Sequence, residues 1–284
     1  MKKILAVVLV AVMAQTAHSQ VIWRSAKTLA KGQMILMSSN YMTPFDKSYS
    51  WSEGKWIDHP EDRTMTFSGL NTMFGIGLTD RIELTVNVPV ECKSAENGGV
   101  ETSASGIGDM YIKTRIAVLP WTKTKGGLAL LGAVRLGTGD KDADIALGDG
   151  TTDIVMGALY STGWKNGWRG HLRAAYWLNG KTDTDVDVGD EVKMIVKLDK
   201  NFSAKWMGFL TYIPYMMMQR KDADGNTVDN TEKTRHYLSA GVVWKPVKGL
   251  FIRPKVLLPV WEKGGSSFSV KPLVDVWYTF SLFK

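Results

Sequence analysis

Residues 82–91 read Ile-Glu-Leu-Thr-Val-Asn-Val-Pro-Val-Glu. Ile82, Leu84, Val86, Val88 and Val90 share one parity, and Glu83, Thr85, Asn87 and Glu91 share the other. Side chains alternate faces along a strand, so this segment has one apolar face and one polar, charged face. The same pattern returns along the chain. Met110, Ile112, Ile116 and Val118 oppose Asp109, Lys113 and Arg115, and Val192, Met194, Val196 and Leu198 oppose Lys193 and Lys197. Ile252, Val256, Leu258 and Val260 oppose Arg253 and Lys255. Val270, Val274, Val276, Tyr278, Phe280 and Leu282 oppose Lys271, Asp275, Thr279 and Ser281.

Working outward from this stretch, the alternation predicts twelve strands: 31–42, 64–78, 81–92, 107–119, 127–138, 152–162, 168–180, 190–198, 203–218, 234–245, 249–261 and 267–283. Most are far longer than the roughly 5–6 residues usual in soluble sheets. They match the ~9–11 residues of a tilted strand that crosses a bilayer. Their connections alternate too. Thr79-Asp80, Trp121 to Gly126, Gly163 to Gly167, Asp199 to Phe202 and Lys245 to Gly249 are short. Met42 to Arg63, Gly137 to Thr151 and Gln219 to Lys233 are long and polar. Short periplasmic turns facing long extracellular loops is the layout of an outer-membrane barrel, and an even strand number puts both ends on the short-turn side. A soluble β-sandwich also alternates, but does not account for the loop asymmetry or the strand length. The expected fold is therefore all-β: a closed antiparallel transmembrane β-barrel of about twelve strands, occupying residues 20–284.

Aromatic residues fit the same frame. Trp121, Trp164, Trp168, Trp206 and Trp244 lie by the short turns, and Trp177, Trp261, Tyr160 and Phe268 are expected near the long loops. Such rings favour the two membrane interfaces. Pro89, Pro214, Pro254, Pro259 and Pro272 fall inside expected strands, so bulges or strand ends are expected there. The 22-residue first loop, 42–63, holds Trp51 and Trp56 and is a candidate to fold into the lumen.

The beginning of the chain reads as an export signal. Lys2 and Lys3 precede an apolar run from Ile4 to Ala14, followed by the small-residue pattern Ala17-x-Ser19. The run is shorter than the ~20 residues of a spanning helix, so residues 1–19 are expected to be a cleaved signal peptide. The expected location is the outer membrane of a Gram-negative bacterium, with outer-membrane lipid, lipopolysaccharide, the barrel-assembly machinery and small-molecule solutes as partners. The single cysteine, Cys92, rules out a disulfide framework within the chain. Lys and Arg number 35 against 28 Asp and Glu, but they are scattered along strands and turns. No basic helix or nucleic-acid motif accompanies them, so nucleic acid is not an expected partner.

Gly106-Ile107-Gly108-Asp109-Met110-Tyr111-Ile112-Lys113, then Leu136-Gly137-Thr138-Gly139-Asp140, then Gly148-Asp149-Gly150-Thr151-Thr152-Asp153 form a Gly-rich constellation. Over about residues 104–160 it resembles outer-membrane proteins of the meta-pathway phenol-degradation type. The resemblance implies a barrel of about twelve strands that passes small, often aromatic or hydrophobic, compounds.

If the apolar parity meets lipid, the other parity lines the lumen. The expected lining is Lys113, Arg115, Arg135, Arg173, Lys193, Lys197, Arg235, Arg253, Lys255 and Lys271, with Glu83, Glu91, Asp109, Asp153 and Asp275 opposing them. Fixed positive charge concentrates anions. The expected function is an outer-membrane channel or facilitator for passive passage of small molecules, anionic or aromatic ones included. The contrasting expectation is a structural or surface-interaction barrel whose lumen is filled and does not conduct.

An enzyme is not expected. No Gly-x-Ser-x-Gly elbow is present, and His59, His171 and His236 form no persuasive pair with a serine on an adjacent strand. His171 is expected in the lumen near the periplasmic end and His236 at an interface. The loops carry Asp140, Asp142, Asp144 and Asp149, then Asp183, Asp185, Asp187 and Asp190, then Asp222, Asp224 and Asp229. They lack a full calcium ligand set, so no metal and no cofactor is expected, and solvated acidic loops are the simpler reading. At the carboxyl end Phe283 is followed by Lys284, a departure from the terminal aromatic common in such barrels.

Overall fold

The computed structural model describes residues 25–122 and 125–282. The expected signal peptide, residues 1–19, lies outside the described residues, as do Phe283 and Lys284. Twelve strands close into one ring: β1 (Gln33–Phe45), β2 (Arg63–Gly77), β3 (Ile82–Asn97), β4 (Met110–Thr122), β5 (Gly126–Leu136), β6 (Asp153–Gly163), β7 (Trp168–Leu178), β8 (Glu191–Asn201), β9 (Trp206–Met217), β10 (Lys233–Trp244), β11 (Leu250–Lys263) and β12 (Lys271–Ser281). Each pairs antiparallel with its neighbours in sequence, and β12 returns to β1 from Gln33↔Ser281 to Tyr41↔Leu273. A closed ring leaves no unpaired strand edge, which is what a bilayer demands.

Burial is inverted relative to a soluble protein. Leu36, Ile154 and Val260 are 50–55% exposed, while Glu83, Asp153 and Asp275 are at most 1% exposed. The apolar parity therefore faces out and the charged parity faces in. In β3, Leu84, Val86 and Val88 face out, and Glu83, Thr85 and Asn87 are buried inside.

Each strand proline sits where a ladder is interrupted, as a missing N–H donor requires. Pro89 falls between Asn87, the last β3 residue paired to β4, and Val90, where β3 takes a new partner. Pro214 lies in the lapse between Lys193↔Tyr215 and Val196↔Tyr212, and Pro254 in the lapse between Gly241↔Lys255 and Trp244↔Ile252. Pro259 adjoins the register shift at His236/Tyr237, and Pro272 lies past the last pair of β12 with β1.

Three features depart from the alternating-strand picture. First, β3 runs on to Asn97 and folds back as Val100–Ile107, so the expected loop 93–106 is an ordered hairpin rising from the barrel. Second, the first loop holds two short strands, Lys47–Ser50 and Lys55–Asp58, and the first of these also pairs with Ser266–Ser267. Only its start, at Phe45, reaches into the lumen, against Phe268 at 6.3 Å. Third, residues 25–31 turn into the barrel at the short-turn end.

The aromatic placement also needs correcting. Trp164, Trp168, Trp206 and Trp244 form an exposed belt at the short-turn end, and Trp206 stacks on Trp244 at 5.9 Å. Trp261 is exposed toward the long loops. Tyr160 pairs with Leu128 and Leu172, which places it by the short turns instead. Trp177 and Phe268 are not interface residues: both are about 4% exposed and point inside. Trp177 shares the inward parity of Arg173, whereas Phe268 shares the outward parity of Val270 but precedes β12, so the alternation does not govern it.

Candidate functional site: the barrel lumen

The lumen contains two cavities in line. The one toward the long loops has a volume of about 500 Å³, and the one toward the short turns about 340 Å³. Between them, on the β8–β12 side, Phe209, Ile213, Leu257 and Leu273 line a third, small cavity of about 20 Å³. The inner face is thus not wholly polar. Tyr41, Ile195, Ile213, Tyr237, Leu257, Phe268 and Leu273 form an apolar cluster inside the ring, because several inward positions of β1 and β8 to β12 carry large apolar side chains.

The charges between and around the cavities are built as pairs. At the short-turn end, Arg115 donates to Glu83 Oε2 at 2.6 Å and to the Ser25 carbonyl at 2.6 Å. Glu83 also accepts the Leu29 N–H at 2.8 Å, and Ala26 N–H donates to Ser161 Oγ at 2.8 Å. These bonds seat the entering segment, with Ala26 and Leu29 buried. Gly77 permits the close approach, since a Cβ there would run into the Ala30 carbonyl. Near mid-barrel, Asp275 is enclosed by Arg253 at 2.5 Å, Lys255 at 2.8 Å and the Ser39 hydroxyl. An ion pair taken out of water needs partners of this kind, and the Arg253 guanidinium also packs against the Trp277 ring at 5.3 Å.

Asp199, expected in a short turn, is instead a buried hub. It meets Arg169 at 2.6 Å, Lys197 at 2.9 Å and His171 at 3.0 Å. His171 also contacts Ser161 Oγ at 2.8 Å, so the register of β6, β7 and β8 sets a serine, a histidine and a carboxylate in a row that the sequence reading did not find. Ser161 is fully buried under Ala26, and Asp199 is shared with two other cations. The row therefore locks the entering segment to the wall; nothing in it exposes a nucleophile. At the outer end of β10, the half-buried His236 contacts Tyr212 and packs 5.1 Å from Trp261.

The cavity toward the long loops is closed on one side by the Gly-rich constellation. Asp109 accepts the Gly139 N–H at 3.0 Å and the Asp149 N–H at 3.4 Å. Thr138 Oγ1 accepts from Met110 N–H at 3.0 Å and donates to the Gly108 carbonyl at 2.9 Å. Arg135 then bridges Asp149 and Asp153, with Asp109 at 3.8 Å. The result is an inward-folded loop that drops Leu147 and Asp149 onto the cavity wall. Its two sides touch at glycines: a Cβ on Gly148 would run into Asp109 Oδ1 and lie 2.9 Å from Gly139 Cα. Gly148→Ala is expected to cost about 1–3 kcal/mol as an overpacking change and to push the loop outward. Faster protease cleavage within 137–151 in proteoliposomes checks this; an unchanged cleavage rate would refute it.

The remaining expected lining residues face the lumen as well. Glu91 pairs with Lys93 at 3.1 Å, and Arg235 reaches Glu262 at 3.9 Å and the Tyr237 hydroxyl at 3.1 Å. Lys271 lies 4.0 Å from the Tyr41 ring and 5.9 Å from that of Phe268. Lys193 lies 4.7 Å from the Trp177 ring and 4.9 Å from that of Tyr215; Lys113 sits over Tyr111 and Arg173 over Trp177. The structure adds Lys93, Arg169 and Lys233 to the inward cations, and Asp149, Glu191, Asp199 and Glu262 to the inward acids. Lys27 and Lys245 also line the cavity toward the short turns, so a basic excess remains. Among the described residues, no group of His, Cys, Asp and Glu is arranged to hold a metal ion.

Residues 62–270 match the family described as "Putative MetA-pathway of phenol degradation". No curated protein matches the chain by sequence. Among solved structures, an outer membrane channel from Pseudomonas putida F1 is similar with a TM-score of 0.76 at 12% identity, over 92% of this chain and 100% of that one. The translocator domain of the autotransporter NalP from Neisseria meningitidis gives 0.52 at 13% identity, over 98% and 96%. The transport unit of the autotransporter AIDA-I from Escherichia coli gives 0.50 at 9%, over 93% of each chain. At such identities the likeness establishes the fold, an outer-membrane-type barrel.

Proposed function

Because the chain belongs to this phenol-degradation family and closes into an outer-membrane-type barrel, we propose that it is an outer-membrane channel for passive passage of small molecules, favouring solutes with an aromatic or apolar body and a negative charge. One observation carries this reading. The cavity of about 500 Å³ is lined both by Phe45, Tyr215, Tyr237 and Phe268 and by the cations Lys193, Lys233 and Lys271. That volume lies within the ~300–1,000 Å³ of small-molecule sites, and rings beside cations suit an amphipathic anion. The Pseudomonas putida barrel, itself described as a channel, fits the same reading. Export through a signal peptide, insertion by the assembly machinery and contact with lipopolysaccharide belong to the proposal.

A second reading has its own support. The apolar side chains Phe209, Ile213, Leu257 and Leu273 packed between the two cavities and the segment 25–31 seated at the short-turn end favour a filled, non-conducting barrel. Planar-bilayer recording in a salt gradient separates the two. The channel reading expects discrete conductance with a reversal potential of anion-preferring sign. A silent membrane supports the filled barrel, and strong cation preference removes the anionic part of the proposal.

A further inference from the structure

Arg115, Arg135, Lys197, Arg253 and Lys255 each stand against a carboxylate. Lys113 and Lys193 do not: among the described residues, neither has a carboxylate oxygen within 4.0 Å. Glu191 attracts Lys193 only from beyond that distance. Both lysines belong to the inner wall. Lys113 on β4 and Lys193 on β8 flank the inward face of β5, β6 and β7, which there carries Ala133, Val155, Ala175 and Trp177. Lys193 leans over the Trp177 ring at 4.7 Å, and Lys113 lies over the Tyr111 ring on its own strand at 4.7 Å. Arg173 lies on the same Trp177 ring as Lys193, at 5.8 Å against 4.7 Å. Lys113 feels the charges of both Arg173 and Lys193.

Like charges drawn together out of water are costly, and the buried cations Arg115, Lys197 and Arg253 each stand against a carboxylate. Contact with a ring quadrupole returns only part of that cost. A countercharge within 4.0 Å of Lys113 and Lys193 is one that a ligand supplies. Lys193, Tyr111 and Tyr215 line the cavity of about 500 Å³, so a solute in that cavity meets this edge of the wall. Trp177, Tyr111 and Tyr215 supply apolar surface beside the charges.

We propose that Lys113 and Lys193, with Arg173 against Trp177, form a binding site for the carboxylate of a small aromatic acid, a station on the solute's path. The proposal rests on the lumen being that path. Its test is titration calorimetry on the detergent-purified, full-length barrel, with benzoate as probe and benzamide as the uncharged control. Benzoate binding is expected to exceed benzamide binding by at least about tenfold, the discrimination commonly seen when a charged hydrogen-bond partner is lost. Lys113→Gln and Lys193→Gln should each weaken benzoate by a similar factor, and Lys113→Arg and Lys193→Arg should retain it. Lys221→Gln, on an exposed loop, should change nothing. Heat-modifiable migration of each variant on gels confirms folding, and the arginine pair keeps the test valid where a glutamine variant does not fold. Equal affinity for benzamide, or benzoate affinity unchanged in both glutamine variants, overturns the site. Binding is read without conduction. A conducting barrel that ignores benzoate removes this site alone, and a silent barrel that binds benzoate removes only the channel reading.

Discussion

Asp275→Ala is expected to destabilise the barrel by about 3–5 kcal/mol, the usual consequence of stripping a buried ion pair of one partner. Asp275 is fully buried, and its carboxylate meets Arg253 at 2.5 Å, Lys255 at 2.8 Å and the Ser39 hydroxyl. The substitution leaves two cations inside the ring without that counterion and deprives the Ser39 hydroxyl of its acceptor. Asp275→Asn keeps the shape and removes the charge, so it should fall between wild type and alanine. The measurement is the urea midpoint of unfolding from detergent, followed by heat-modifiable migration. Wild-type stability in the alanine variant would mean that water already solvates Arg253 and Lys255, and that the middle of the lumen is wet.

Glu83→Ala is expected to combine a similar loss of stability with a gain in conductance. Glu83 accepts from Arg115 and from the Leu29 N–H, and Arg115 in turn holds the Ser25 carbonyl. Removing the carboxylate leaves a buried guanidinium without this counterion, about 3–5 kcal/mol, and orphans a buried amide, about 1–3 kcal/mol. The cheapest relief is for residues 25–31 to leave the barrel, because water then reaches both groups. Part of the stability loss is thereby converted into an opening at the short-turn end. Single-channel recording should show several-fold higher conductance, and limited proteolysis should cut the freed segment sooner. Unchanged conductance together with unchanged cleavage would show that the segment is held by packing of Ala26 against Ala129, Leu131 and Leu159 instead. Glu83→Gln retains an acceptor for Leu29 and should open less.

The barrel itself was legible because its period is imposed locally. A lipid-facing strand must present an apolar residue at every second position, and the chain from Ile82 to Val90 displays this without reference to any partner. The parity of Glu83, Lys113, Arg115, Lys193, Arg253, Lys271 and Asp275 likewise assigns them to the inner face before any contact is known. Loop length gave the strand count for the same reason: each short turn must be followed by a long excursion at the other end.

What parity could not give is everything that depends on curvature and register around the ring. Asp199 reads as a turn residue in sequence, yet the stagger of β7 against β8 aligns it with Arg169 and brings His171 and Lys197 to it. Phe268 reads as an interface aromatic, yet it lies ahead of β12 and under Lys271. Residues 25–31 carry no alternation at all, and the glycine at position 77, the inward Glu83–Arg115 pair and Ser161 give them a place to sit. The sequence by itself determined a closed β-barrel with a charged interior, because a two-residue period against lipid is a one-dimensional constraint. Only the tertiary structure decided which charges cancel and which stay unanswered, because a lumen contact joins strands far apart in the chain and is set by stagger.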